Sequence, residues 1–146
     1  NMETTKQERK LAVKDFIDLN RQHCRMVESR LNQTGVFRAQ HHLLMYLSNH
    51  EGCSQTEMAQ AEGITTPSVA VSLKKLEKGG YIEKAVDGTD NRYHKVVLTK
   101  KGSEIVKMSH EIFDQINEQL FSGFSLEELS VFTDFIRRMK ENIDSK

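Results

Sequence analysis

Several absences bound what this 146-residue chain can do. No apolar run approaches the length that spans a bilayer, roughly 20 residues. No signal peptide is expected either, so the expected compartment is the cytoplasm, with no membrane partner. Two cysteines, Cys24 and Cys53, are too few for a disulfide framework. There is no G-x-S-x-G elbow, no P-loop and no grouping of serine, histidine and aspartate. The histidines are scattered over separate segments. The reading is therefore not an enzyme, with no cofactor. Internal repeats and low-complexity stretches are absent as well. Net charge is zero, from 21 basic and 21 acidic residues, so any charge-seeking surface must be local.

What is present centres on residues 54–98. Ser54 and Glu57 form S-x-x-E, the pattern of a capping box, and open a short helix with Met58 and Ala59 facing inward. Gly63 ends it. A second helix follows, with Pro67 in its first turn and Thr66 expected as its N-cap, Thr65 being the alternative. Val69, Leu73 and Leu76 recur at steps of four and three and predict its buried face. Thr66, Ser68, Val71, Ser72, Lys74, Lys75 and Lys78 then lie on or near the outer side. Short hydroxyls near the N-terminus and lysines further along suit base edges and phosphates of DNA; an ordinary solvated lysine face is the plain alternative. Gly79-Gly80 stops the helix. Tyr81, Ile82 and Val86 predict one strand, and Val96, Val97 and Leu98 its partner. Between them Asp87 to Arg92 is a turn of residues that tolerate positive φ. Arg92 sits at its tip, placed for a minor groove or paired with Asp87 or Asp90, which would aim it.

Charge agrees. Residues 64–101 hold eight basic side chains against four acidic ones, whereas the rest of the chain holds thirteen against seventeen. A basic module inside a neutral protein is the footprint of a phosphate-bearing partner.

The stretch from Glu51 to Gly102 resembles the DNA-binding lobe of the MarR family of bacterial transcriptional regulators. The most specific piece is D-x-x-D-x-R followed by L-T-x-x-G, here Asp87, Asp90, Arg92, Leu98, Thr99 and Gly102. The chain departs from the family where Thr89 replaces a further arginine, and where Ala70-Val71 replaces a common Ser-Arg. The latter loses a guanine reader and favours contact with a thymine methyl. The resemblance implies a mainly α fold with a small β-wing, in the order helix, helix, strand, helix, helix, strand, strand, helix, helix. It implies one domain over 1–146, with a winged helix-turn-helix lobe at 36–100 and a helical dimerisation lobe from 5–34 and 101–146. The expected DNA contacts are Ser54, Thr65, Thr66, Ser68, Val71, Ser72, Lys74, Lys75, Arg92 and Lys95.

The flanks explain the second lobe. Residues 5–33 read as one helix with Val13, Phe16, Ile17, Asn20, Cys24, Val27 and Leu31 on a stripe. A second helix runs from Phe37 to His50, with Leu43, Leu44 and Leu47 inward. A fifth helix ends near Phe121, and Ser125-x-x-Glu128 caps a sixth carrying Leu129, Phe132, Ile136, Met139 and Ile143. These stripes are too extensive for one protomer to hide, and a second copy would bury them. A homodimer also presents two recognition helices one turn of duplex apart, to a pseudo-palindrome.

The expected function is a sequence-specific DNA-binding regulator, a homodimeric repressor that responds to a small molecule. Its partners are then double-stranded DNA, a second copy and an effector. Tyr46 and Phe37 read as core more than as pocket lining. The resemblance suggests two other triggers. Zinc-sensing members place a histidine where His42 falls, and Cys24, His41, His42 and His110 are the candidate ligands. The paired histidines such members carry on the fifth helix are missing, with Ser109 and Phe113 near those places. Peroxide-sensing members carry a cysteine near the start of the first helix, where this chain has Val13, so Cys24 reads as a buried apolar filler. A winged module that binds protein instead of DNA is the remaining alternative.

Overall fold

The computed structural model describes residues 2–87 and 90–145, with side chains over 2–85 and 95–145. The elements run α1 (Met2–Asn32), α2 (Arg38–Asn49), α3 (Gln55–Glu62), α4 (Thr66–Lys78), β1 (Ile82–Asp87), β2 (Asp90–Leu98), α5 (Lys100–Leu120) and α6 (Leu126–Asp144). The fold is thus mainly helical with a two-stranded antiparallel wing. The chain divides into two compact units, 1–113 and 114–146. Among the described residues no helix is long and apolar enough to cross a membrane.

In the first unit the core forms where the apolar periods predict it. Leu43, Leu44 and Leu47 of α2 meet Met58 and Ala59 of α3 and Val69, Leu73 and Leu76 of α4. Ile82 and Val96 enter from the wing, and Ile105 and Val106 from α5. Full burial of each large side chain is worth about 1.5–3 kcal/mol, so this cluster holds α4 firmly. In α1 the burial is confined to the C-terminal end: Val27 and Leu31 are buried, whereas every residue from 2 to 22 is exposed.

Five details differ from the sequence reading. The strand expected between α2 and α3 is absent, and the sheet holds β1 and β2 alone. Gly52, at φ 80°, bends the backbone out of extension, and its amide makes a single 3.4 Å bond to the Val96 carbonyl where a third strand would need a ladder. Thr65, not Thr66, caps α4: its backbone is extended and its Oγ1 accepts the Ser68 amide at 3.2 Å. The Ser54 box records one of its two bonds, the Glu57 amide donating to Ser54 Oγ at 3.1 Å. Phe37 is not core; it precedes the first turn of α2 and is 70% exposed, while Tyr46 packs against the core and stacks on His50. Cys24 is half-buried instead of buried, and the Arg38 guanidinium donates to its sulfur at 3.8 Å.

The second unit carries the end of α5 and all of α6. Its capping box is complete: the Glu128 amide donates to Ser125 Oγ at 3.1 Å and the Ser125 amide to Glu128 Oε1 at 2.9 Å. The Ser125 amide, and then its hydroxyl, hold the Glu128 carboxyl below its ordinary range. Phe121 meets Phe124 and Phe132 edge to face, yet α6 buries no residue at all.

Candidate nucleic-acid interface

The outer face of α4 follows from the way the helix is seated. Val69 and Leu73 are fully buried and Leu76 nearly so. At 100° per residue, that stripe turns Val71, Lys74, Lys75 and Lys78 to the opposite side, where all four are exposed. Ser68 is exposed and Ser72 half-buried at the flanks of this face. Val71 stands 57% exposed between them, an apolar contact of the size that fits a thymine methyl.

The N-terminal end of α4 presents three exposed hydroxyls. Thr65 Oγ1 donates to Ser68 Oγ at 2.9 Å while accepting the Ser68 amide. Ser68 therefore accepts from Thr65 and keeps its own proton to donate. Thr65, Thr66 and Ser68 are all exposed beside the positive end of the helix dipole. Pro67 sits in the first turn, where its missing amide costs nothing. Ser54 is likewise exposed at the start of α3, its hydroxyl oxygen accepting from Glu57.

The wing is fastened by the L-T-x-x-G residues. The Thr99 amide donates to the Tyr81 carbonyl at 3.1 Å, and Thr99 Oγ1 to the Gly80 carbonyl at 2.5 Å. The same hydroxyl oxygen accepts the Gly102 amide at 3.1 Å, starting α5. A Cβ on Gly102 would lie 2.0 Å from the Tyr81 carbonyl oxygen, so only glycine permits this approach. Lys101 donates to the Gly79 carbonyl at 2.7 Å and lies over the Tyr81 ring at 4.5 Å. It therefore serves the lobe and not the outer face, a role its place among the basic residues does not reveal. In the wing, β1 and β2 pair from Ile82↔Leu98 to Val86↔His94, with a slip before Asp87↔Asp90. Lys95 is exposed on β2. The side chains of Arg92, Asp87 and Asp90 lie outside the described residues, as does Thr89.

The candidate trigger residues are dispersed. His42 is exposed and lies 3.9 Å from Glu62, joining α2 to α3. His110 is exposed on α5, and Cys24 lies against Arg38. Among the described residues no three histidine, cysteine, aspartate or glutamate side chains stand together to hold a metal ion. Cys53 is buried, which pushes its thiol pKa up and keeps it protonated.

Known proteins share this arrangement. A model of the MarR family matches residues 34–92. YdgJ of Bacillus subtilis, an uncharacterized HTH-type transcriptional regulator, is 28% identical over 112 residues, covering 77% of this chain and 68% of YdgJ. MepR of S. aureus, in a crystal structure of its complex with DNA, is 28% identical, with a TM-score of 0.71 over 88% of this chain and 93% of MepR. The crystal structure of another MarR family transcription regulator superposes with a TM-score of 0.87 over 99% of this chain and 97% of its own; at 21% identity it speaks for the fold alone. Residues 34–92 thus match the MarR family of transcriptional regulators, and the lobe they belong to has the winged helix-turn-helix fold of its solved members.

Proposed function

We propose that the chain acts in the cytoplasm as a homodimeric, sequence-specific repressor whose grip on a pseudo-palindromic operator is released by a small-molecule effector. The observation that carries this reading is the outer face of α4: exposed hydroxyls and lysines on a helix whose opposite stripe is locked in the core. In this reading Lys74, Lys75 and Lys95 neutralise phosphates, and Thr65, Thr66 and Ser68 anchor one at the start of α4. Ser72 and Val71 meet base edges, Ser54 the adjacent backbone, and Arg92 the minor groove. The expected domain plan follows, with the winged lobe at 36–100 and the flanking helices pairing with a second copy.

Two further facts support it. The α1 stripe leaves Val13, Phe16 and Ile17 exposed, and α6 leaves Phe132, Phe135, Met139 and Ile143 exposed. About half a dozen such side chains per protomer, at roughly 1.5–3 kcal/mol each, are enough to make the dimer obligate. In addition, MepR, which shares 28% of its sequence with this chain, has been crystallised on DNA.

The test is a titration of the purified protein against a palindromic A·T-rich duplex, read by fluorescence anisotropy across a salt series. Binding that weakens steeply with added salt is expected. No binding at low salt, or binding indifferent to salt, would overturn the proposal.

A further inference from the structure

Among the described residues two polar side chains are buried, His41 at 1% exposure and Ser109 at 0%, and they touch each other. His41 Nδ1 lies 2.8 Å from Ser109 Oγ, a bond between α2 and α5 across 68 residues of sequence. The other ring nitrogen, Nε2, lies 2.9 Å from Thr34 Oγ1, in the corner between α1 and α2. Both hydroxyls are held in turn. Each hydroxyl also faces a backbone carbonyl, Ser109 Oγ 2.8 Å from the Ile105 oxygen and Thr34 Oγ1 2.6 Å from the Leu31 oxygen; a neutral ring, with one N–H, donates to one of the two hydroxyls and accepts the proton of the other. The Val36 amide donates to Thr34 Oγ1 at 3.3 Å. One ring thus fixes three elements, and the direction each nitrogen faces is set by its own hydroxyl.

The position of this ring in the lobe gives it a further consequence. The same helix that carries His41 lays Leu43, Leu44 and Leu47 in the core that seats Val69, Leu73 and Leu76 of α4. A polar bond in a low-dielectric core is strong when satisfied and costly when half-broken, so it fixes one register where apolar contacts tolerate several. We propose that His41 is a positioning residue for the recognition helix: through Ser109 it fixes α2 against α5, and α2 in turn sets α4. This inference rests on the DNA-binding reading for its consequence, but its physical content is testable without DNA.

Two substitutions divide the ring. His41→Asn places an amide near Nδ1 and can keep the Ser109 bond, while His41→Gln reaches toward Nε2 and can keep the Thr34 bond. Ser109→Ala removes the α5 partner itself. Amide hydrogen exchange of the free protein, run beside thermal melts, should show α4 exchanging about tenfold faster in His41→Gln and Ser109→Ala, with His41→Asn close to the parent. Affinity for the A·T-rich duplex should fall about tenfold in the same two variants and within twofold of the parent in His41→Asn. Equal α4 exchange in all variants, or a loss in His41→Asn as large as in His41→Gln, would overturn the proposal. So would exchange that quickens uniformly along the chain in step with the fall in melting temperature. A parent protein that fails to bind the duplex, while the exchange pattern holds, would instead overturn the DNA-binding reading and leave the positioning role standing.

Discussion

Helices α4 and α6 make the most instructive pair in the molecule. Both are amphipathic, both begin at a hydroxyl that caps the first turn, and both carry an apolar stripe at three- and four-residue steps. In α4 the stripe of Val69, Leu73 and Leu76 is buried by the rest of its own lobe. In α6 the stripe finds no such cover: no residue is buried, and Phe132, Phe135, Met139 and Ile143 remain exposed. The first 20 or so residues of α1 behave like α6. The difference teaches that amphipathicity reports a need for a partner without naming it. Within the lobe the partner is local; at the two chain ends the proposal assigns it to a second copy.

Four experiments break or sharpen that comparison. The largest effect is expected from Leu73→Ala in α4, which removes a fully buried side chain. It should cost about 2–5 kcal/mol of folding stability by urea denaturation, whereas Met139→Ala on the exposed stripe of α6 should change the fold of an isolated protomer little. Next, Phe132→Asp on α6 should weaken self-association by about 1.5–3 kcal/mol, seen as a shift toward protomers in sedimentation velocity, with helix content by circular dichroism retained. An unchanged sedimentation coefficient would remove α6 from the interface. Smaller again, Lys75→Ala on the outer face of α4 should reduce the slope of log affinity against log salt by about one, nearly independently of sequence. A slope that does not change would mean Lys75 meets no phosphate.

The gentlest effect is with pH. Burial is the largest influence on His41 and lowers its pKa below the ordinary 6.5, and the neighbouring His42 lowers it further. Backbone bonds at Val36 and Leu31 oppose the shift. The unfolded chain therefore takes up this proton at a higher pH than the folded one. Stability from this group is full above 6.5 and is lost as pH falls from there toward the lower folded value. Thermal melts across that window should decline with acid in the parent, and His41→Gln should flatten the decline.

The features legible in the sequence are those fixed by neighbours a few residues apart. The Ser125–Glu128 box, the α4 stripe, the wing strands and the stop at Gly63 all depend on local spacing and appear as expected. Most of the misses share a cause: they depend on what lies across space. Thr65 and Thr66 are equally good caps by type, and only the path of the incoming chain decides between them. The missing strand turns on the single bend at Gly52. Cys24 meets Arg38, 14 positions away, a contact that no local spacing reveals. The bond from His41 to Ser109 leaves no trace in any period; at most, two polar residues on the otherwise apolar faces of their helices hint that each needs a partner. The L-T-x-x-G residues were legible as a pattern, but their work of fastening the wing base was not.

The central claim is that two copies of this chain present two α4 helices to one duplex. Native mass spectrometry of the protein mixed with a palindromic A·T-rich duplex at low salt tests it directly. The account predicts a complex of two chains per duplex, disrupted by added salt, with two-chain species in the absence of DNA. A complex of one chain per duplex, or two chains that ignore the duplex at low salt, would contradict it.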